Sequence, residues 1–150
     1  MKPQVLAEVC APLSAVDFSD KVVISIAAGI SLARLTALLP TATSIVRVMP
    51  NTPALVGEGM AGLFAAKNTS ENDRTFAQDL LSAVGKTLWV DSEEQMHAVT
   101  AASGSGPAYF FQFLEAMQQG LIEMGLSAEN ARELVQQLSL IHISEPTRQA

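Results

Sequence analysis

Four short segments of this 150-residue chain carry residues whose types and spacing could do chemistry. Lys2 and Pro3 lie at the mouth of a strand expected upstream. A lysine at the carboxyl end of a parallel strand sits where open α/β sheets take their ligands; the plain alternative is a solvated lysine. Ile26-Ala27-Ala28-Gly29 closes an apolar run with small residues. Such residues let a flat ring or a ribose approach the backbone, and close packing of a helix on a strand uses the same ones. Arg47 to Pro53 reads Arg-Val-Met-Pro-Asn-Thr-Pro. Its two prolines fix a loop in which Asn51 can bond the backbone and a ligand amide, or simply cap a rigid turn. Ser103 to Tyr109 reads Ser-Gly-Ser-Gly-Pro-Ala-Tyr. Free N–H groups at a helix start attract an anion such as a carboxylate; a kink that allows tight subunit packing is the alternative. Glu93, one helix earlier, could receive a substrate ammonium or iminium, or stand only as a first-turn helix residue.

The other reactive side chains are isolated. His97 sits inside an expected helix with no second histidine at metal-ligand spacing, and Cys10 is a plain helix residue. One cysteine and two distant histidines offer neither a zinc site nor an internal disulfide, and they fit a reducing compartment such as the cytoplasm. No catalytic residue and no metal ligand is assigned. The chain contains neither a G-x-S-x-G elbow nor a P-loop. Hydrophobic residues make up 49% and charged residues 16%, which excludes a disordered chain. Nine basic against fifteen acidic residues give a net charge of −6 with no basic cluster, so nucleic acid is not the expected partner. No apolar run reaches the roughly 18 residues of a membrane span. Glu8 interrupts any signal-peptide core.

These segments need elements to position them. Val5, Leu6, Val9 and Leu13 share a helical face, so a helix is expected over residues 3–15, with Pro3 in its first turn. Lys21 to Ala27 is an apolar, β-branched run, the pattern of a strand buried on both faces of a parallel sheet. Ser31 caps a helix that Pro40 stops. Strands follow at Ser44 to Met49, Met60 to Ala66 and Lys86 to Val90. Between the last two, a helix opens on Ser70 with Asp73 and has Gly85 as its C′ residue. This β-α-β-β-α-β order implies at least one right-handed parallel crossover and one hairpin-like return. After Asp91 strands stop. Helices are expected over 93–102, from Tyr109 to Gly125 and from Ser127 to Gln137. The Met and Phe stripe of the middle one is core or dimer interface. Leu138 to Ala150 loses the helical period and reads as translated adapter DNA, a non-native tail, rather than as a genuine strand and tail.

Taken in order, Lys2-Pro3, Ser25-Ile-Ala-Ala-Gly29, Met49-Pro-Asn-Thr-Pro53 and Ser103-Gly-Ser-Gly-Pro-Ala-Tyr109 resemble the pyrroline-5-carboxylate reductase family, from Lys2 to about Gln137. The resemblance implies an α/β fold: the C-terminal part of a Rossmann-like NAD(P)-binding domain (1–91), then the first helices of an all-α dimerisation domain (92–137), with 138–150 the tail. It implies hydride transfer from NADPH, or NADH, to the carbon–nitrogen double bond of pyrroline-5-carboxylate, giving L-proline, in a cytoplasmic homo-oligomer. By position, Lys2, Pro3, Ala27, Ala28 and Asn51 match the cofactor side, Asn51 in a structural or cofactor-contacting role, and Glu93 matches a substrate-side acid.

The family's N-terminal strand–Gly-rich turn–helix, which holds the pyrophosphate, and its later Ser-Pro-Gly-Gly-Thr-Thr loop are not found in the chain. An internal piece of the enzyme, inactive or nearly so alone, is therefore expected. Two other classes compete with the reductase. A 3-hydroxyacid dehydrogenase needs a catalytic lysine on a helix of its second domain, and no lysine follows Lys86. A non-enzymatic dimerisation or regulatory module would be built on the apolar helix 107–124, and a truncated remnant would have no function.

Overall fold

The computed structural model describes residues 3–139; Lys2 and residues 140–150, which include most of the expected tail, lie outside them. Two compact units divide after Ser105. The first is built on a four-stranded sheet of order β1-β2-β3-β4, with β1 Val22–Ser25, β2 Ser44–Met49, β3 Gly59–Ala65 and β4 Gly85–Trp89. β1 pairs with β2 in parallel, β2 with β3 antiparallel, and β3 with β4 in parallel. The single return between β2 and β3 is the expected one.

Side chains alternate across each strand, and the core follows that alternation. Ile45 points to a cluster with Leu6, Cys10, Leu35, Leu39 and Ala42, which come from α1 (Leu6–Cys10), α2 (Leu32–Leu38) and the segment after it. Val46 and Val48 point the other way, to Ala61, Leu63, Ala65 and to Ala77 of α3 (Glu71–Ser82). Helices thus cover both faces of the sheet. The expected caps are present. Ser31 Oγ accepts from Arg34 N at 3.2 Å and Ser70 Oγ from Asp73 N at 3.1 Å. Buried Ser44 donates to Asp73 Oδ2 at 2.8 Å and so ties the start of α3 to β2.

Three expectations are corrected. Residues 3–15 form not one helix but a 3-10 turn Pro3–Val5, α1 and a second 3-10 turn Ala11–Leu13. Pro12 has no N–H for the next helical bond, so the α-helix cannot pass it. β1 is half-buried along its length rather than buried on both faces, because among the described residues it has β2 alone as a neighbour. Gly85 is not a helix C′ residue; α3 ends on Ser82, and Gly85 begins β4 opposite Gly59.

After β4 the chain forms α4 (Gln95–Val99), which starts two residues later than the expected helix and widens into a π-turn, Thr100–Gly104. A Cβ built on Gly62 of β3 would meet Val99 Cγ1 at 2.6 Å, so α4 lies directly on the sheet there. The second unit contains α5 (Gly106–Glu123) and α6 (Ala128–Ser139), packed on each other. α5 closes with Gly125 at φ +102, Leu126 N bonding Leu121 O and Gly125 N bonding Ile122 O, the Schellman pattern. α6 buries Ala131 and Val135. None of α5 is buried, so its aromatic stripe is not core: Tyr109, Phe110, Phe111 and Phe113 are exposed.

Candidate functional site

Arg47 is the one charged residue of β2, on the same face as Ile45. That face carries α2, and there the Arg47 guanidinium donates through Nη1 to Glu93 Oε1. The same carboxylate oxygen accepts the N–H of Leu32, at the first turn of α2, at 2.7 Å. One carboxylate therefore joins β2, the start of α2 and the segment entering α4. It lies beside the carboxyl ends of parallel β1 and β2, since Ser25 is the register partner of Arg47. Open α/β sheets take ligands at that edge.

A cleft of about 330 Å³ opens around the pair, lined by Gly29, Ser31, Arg47, Glu93, His97 and Thr100 among others. Its other acid, Glu94, is fully exposed. Its own backbone N–H, then the Ser92 hydroxyl and nearby His97, hold its carboxyl below the usual range, so it stays ionised there to lower pH. The Thr100 hydroxyl donates to Met96 O at 2.8 Å, and Ser105 N to Thr100 O at 2.9 Å, the wide bond of the π-turn. Such turns recur at functional sites. The Ser103 hydroxyl is bonded to Val99 O at 3.1 Å and the Ser105 N–H is used in the π-turn. The Ser103 hydroxyl and the Ser105 N–H are thus taken up within the widened helix.

Ala27 and Ala28 follow β1 in a turn closed by Ile30 N bonding Ala27 O at 3.4 Å, with Gly29 at φ +74. Ala27 is half-buried, Ala28 and Gly29 are exposed, and a Cβ on Gly29 would meet nothing within 4 Å. This is a bare shelf of small residues at a strand end. Asn51 stands apart from the cleft lining. Its Oδ1 accepts Met60 N at 2.8 Å, pinning the loop after β2 to β3. Pro3 lies in the turn ahead of α1 and does not line this cleft.

Sequence reasoning assigned no role to Arg47, His97 or Thr100. For Arg47 a signal existed: a lone cation within an apolar central strand needs a buried partner. Gly57-Glu-Gly59-Met-Ala-Gly62 spells G-x-G-x-x-G, but it leads from a 3-10 turn into β3, not from a strand into a helix, so it lacks the context of a phosphate loop. Among the described residues no group of three or more His, Cys, Asp or Glu side chains could hold a metal ion. No helix there is long and apolar enough to cross a membrane.

Removing the Asn51 amide is expected to leave the Met60 N–H without a partner. Asn51→Ala then lowers stability by about 1–2 kcal/mol, whereas Asn51→Asp, which keeps the acceptor, costs less. Urea unfolding of both variants checks this; equal losses would mean that the bond contributes nothing.

Residues 93–141 match the family model described as pyrroline-5-carboxylate reductase dimerisation. Over 140 residues, 93% of its length, the chain is 75% identical to the pyrroline-5-carboxylate reductase of Haemophilus influenzae and 61% identical to that of Pasteurella multocida. It covers 52% and 51% of those proteins, so the chain spans about half the length of the curated relatives it matches. Among solved structures, it is similar over its whole length to a pyrroline-5-carboxylate reductase from Coxiella burnetii, at TM-score 0.89 and 37% identity, covering 57% of that chain. It is also similar over 97% of its length to the Plasmodium falciparum pyrroline carboxylate reductase solved with NADP bound, at TM-score 0.88 and 32% identity, covering 59% of that chain.

Proposed function

We propose, from the premise that this chain belongs to the pyrroline-5-carboxylate reductase family, that the protein carrying it reduces 1-pyrroline-5-carboxylate to L-proline with NADPH or NADH, the last step of proline biosynthesis. The observation that carries this reading is the 75% identity to the Haemophilus influenzae enzyme over 93% of the chain. NADPH is the preferred donor in it, supported by the NADP bound to the Plasmodium relative. The small residues Ala27, Ala28 and Gly29, the last two exposed, suit a flat ring against the backbone. The cofactor supplies the hydride, and Ala27 and Ala28 orient it; Lys2, Pro3 and Asn51 are assigned to the cofactor by their position in the family's motifs, Asn51 through its hold on the loop after β2. Glu93 stands on the substrate side of the cleft. The chain's contribution is chiefly positioning of the imine carbon.

The exposed aromatic face of α5 is the surface on which we place a second copy, in line with the dimerisation description of residues 93–141. The site of action in this reading is the cytoplasm, in keeping with a single, unpaired cysteine, Cys10.

Grafting residues 3–137 in place of the matching stretch of the Haemophilus influenzae enzyme tests the proposal. The graft is expected to oxidise NADPH in proportion to added pyrroline-5-carboxylate and to form proline, while the chain alone turns over little or none. A folded graft that forms no proline would overturn the reading.

A further inference from the structure

The Glu93 carboxylate is already engaged in a way that bears on its role. Its Oε1 accepts from the Arg47 guanidinium, so its charge is compensated within the chain, and from the Leu32 N–H at 2.7 Å. Its partners are 46 and 61 residues away in sequence. Leu32 directly follows the turn Ala27–Ile30 and the cap residue Ser31, so whatever holds Leu32 sets where the small-residue shelf stands. The side chain of Arg47 is 12% exposed and that of Glu93 30%, so the pair is partly withdrawn from water, where its hydrogen bonds are stronger than in solvent. A carboxylate so paired attracts a cationic imine weakly, because the guanidinium beside it cancels the field the imine would feel.

We propose that Glu93 is a positioning residue for the loop between β1 and α2, acting through Leu32 N and Arg47, and not the counter-ion of the substrate iminium. This rests on the reductase reading. The two roles differ in what glutamine can replace. Glutamine at 93 keeps an amide oxygen that accepts from both Leu32 N and Arg47 but carries no charge; alanine keeps neither.

In the grafted enzyme, Glu93→Ala is expected to raise KM for NADPH by roughly tenfold through loss of loop placement. Glu93→Gln is expected to restore most of that loss, with kcat and its pH profile moved little. If glutamine and alanine instead lower kcat to the same degree and both change the pH profile, Glu93 acts by its charge and the proposal is wrong. Unchanged kinetics in both variants would equally overturn it. A graft without activity before any substitution would count against the reductase reading alone. In that case amide exchange at Leu32, measured in the 150-residue chain, decides: the alanine variant should expose that N–H and the glutamine variant protect it. Equal exchange in the two would overturn the proposal.

Discussion

Gly85→Val is expected to prevent the first unit from folding stably. Gly85 has φ +153, which L side chains rarely adopt, and it stands opposite Gly59 in the parallel register of β3 and β4. A Cβ there would lie 2.1 Å from Gly59 O and 2.5 Å from Gly59 N and C. Those atoms are backbone, held by the ladder and by Gly59 N bonding Val84 O at 2.9 Å, so they cannot swing aside as a side-chain tip does. Gly59 is confined in its turn, since its own Cβ would meet Ala54 Cβ and Val84 O at 2.8 Å. Backbone strain and overpacking then add, for a loss of about 3 kcal/mol or more. Gly57→Ala is the control. Its φ is +77 but nothing lies within 4 Å, so it carries only the strain of the left-handed conformation, about 1–2 kcal/mol. Urea unfolding of Gly85→Ala, Gly85→Val and Gly57→Ala compares the two. Equal midpoints for the two alanine variants would show that the close approach at Gly85 carries no energetic weight.

Arg47→Met has the next largest expected effect. Removing the cation leaves the Glu93 carboxylate partly buried without its charge partner. Breaking one side of a fully buried pair costs about 3–5 kcal/mol. With 30% of the Glu93 side chain still in contact with water, about 2–3 kcal/mol is the fitting expectation. The double variant Arg47→Met with Glu93→Gln should be more stable than the single Arg47→Met, because no unpaired charge remains and the amide still accepts the Leu32 N–H. Denaturant midpoints for the two singles and the double close the cycle. Strict additivity would show that the two side chains do not interact in solution.

The legible parts of the fold were those with a local cause. The β-branched run at Ser44 to Met49 and the apolar run at Met60 to Ala66 became strands within a residue of the expected bounds. Ser31 and Ser70 cap their helices because a serine before an apolar period satisfies an N–H three residues on. Pro12 is instructive in the other direction. The helical face of residues 3–15 was real, yet the N–H missing at Pro12 ended the α-helix at Cys10. The site was less legible than the fold. Ala27 and Ala28 were singled out from a small-residue segment and Glu93 by position in the family, but neither their geometry nor the partner of Glu93 was legible. Arg47 stood within a quoted motif without a role, because its importance lies in a residue 46 positions away.

The order of strands and helices, the helix caps and the resemblance of four spaced motifs to one enzyme family were determined by the sequence itself, because each rests on residues a few positions apart or on motifs read in order. The join of Arg47, Glu93 and Leu32, the close approach of Gly85 to Gly59 and the exposure of the α5 aromatic face were decided only by the tertiary structure. Each depends on which distant backbone the folded chain brings within bonding distance, or leaves uncovered. Periodicity along the chain carries no record of that.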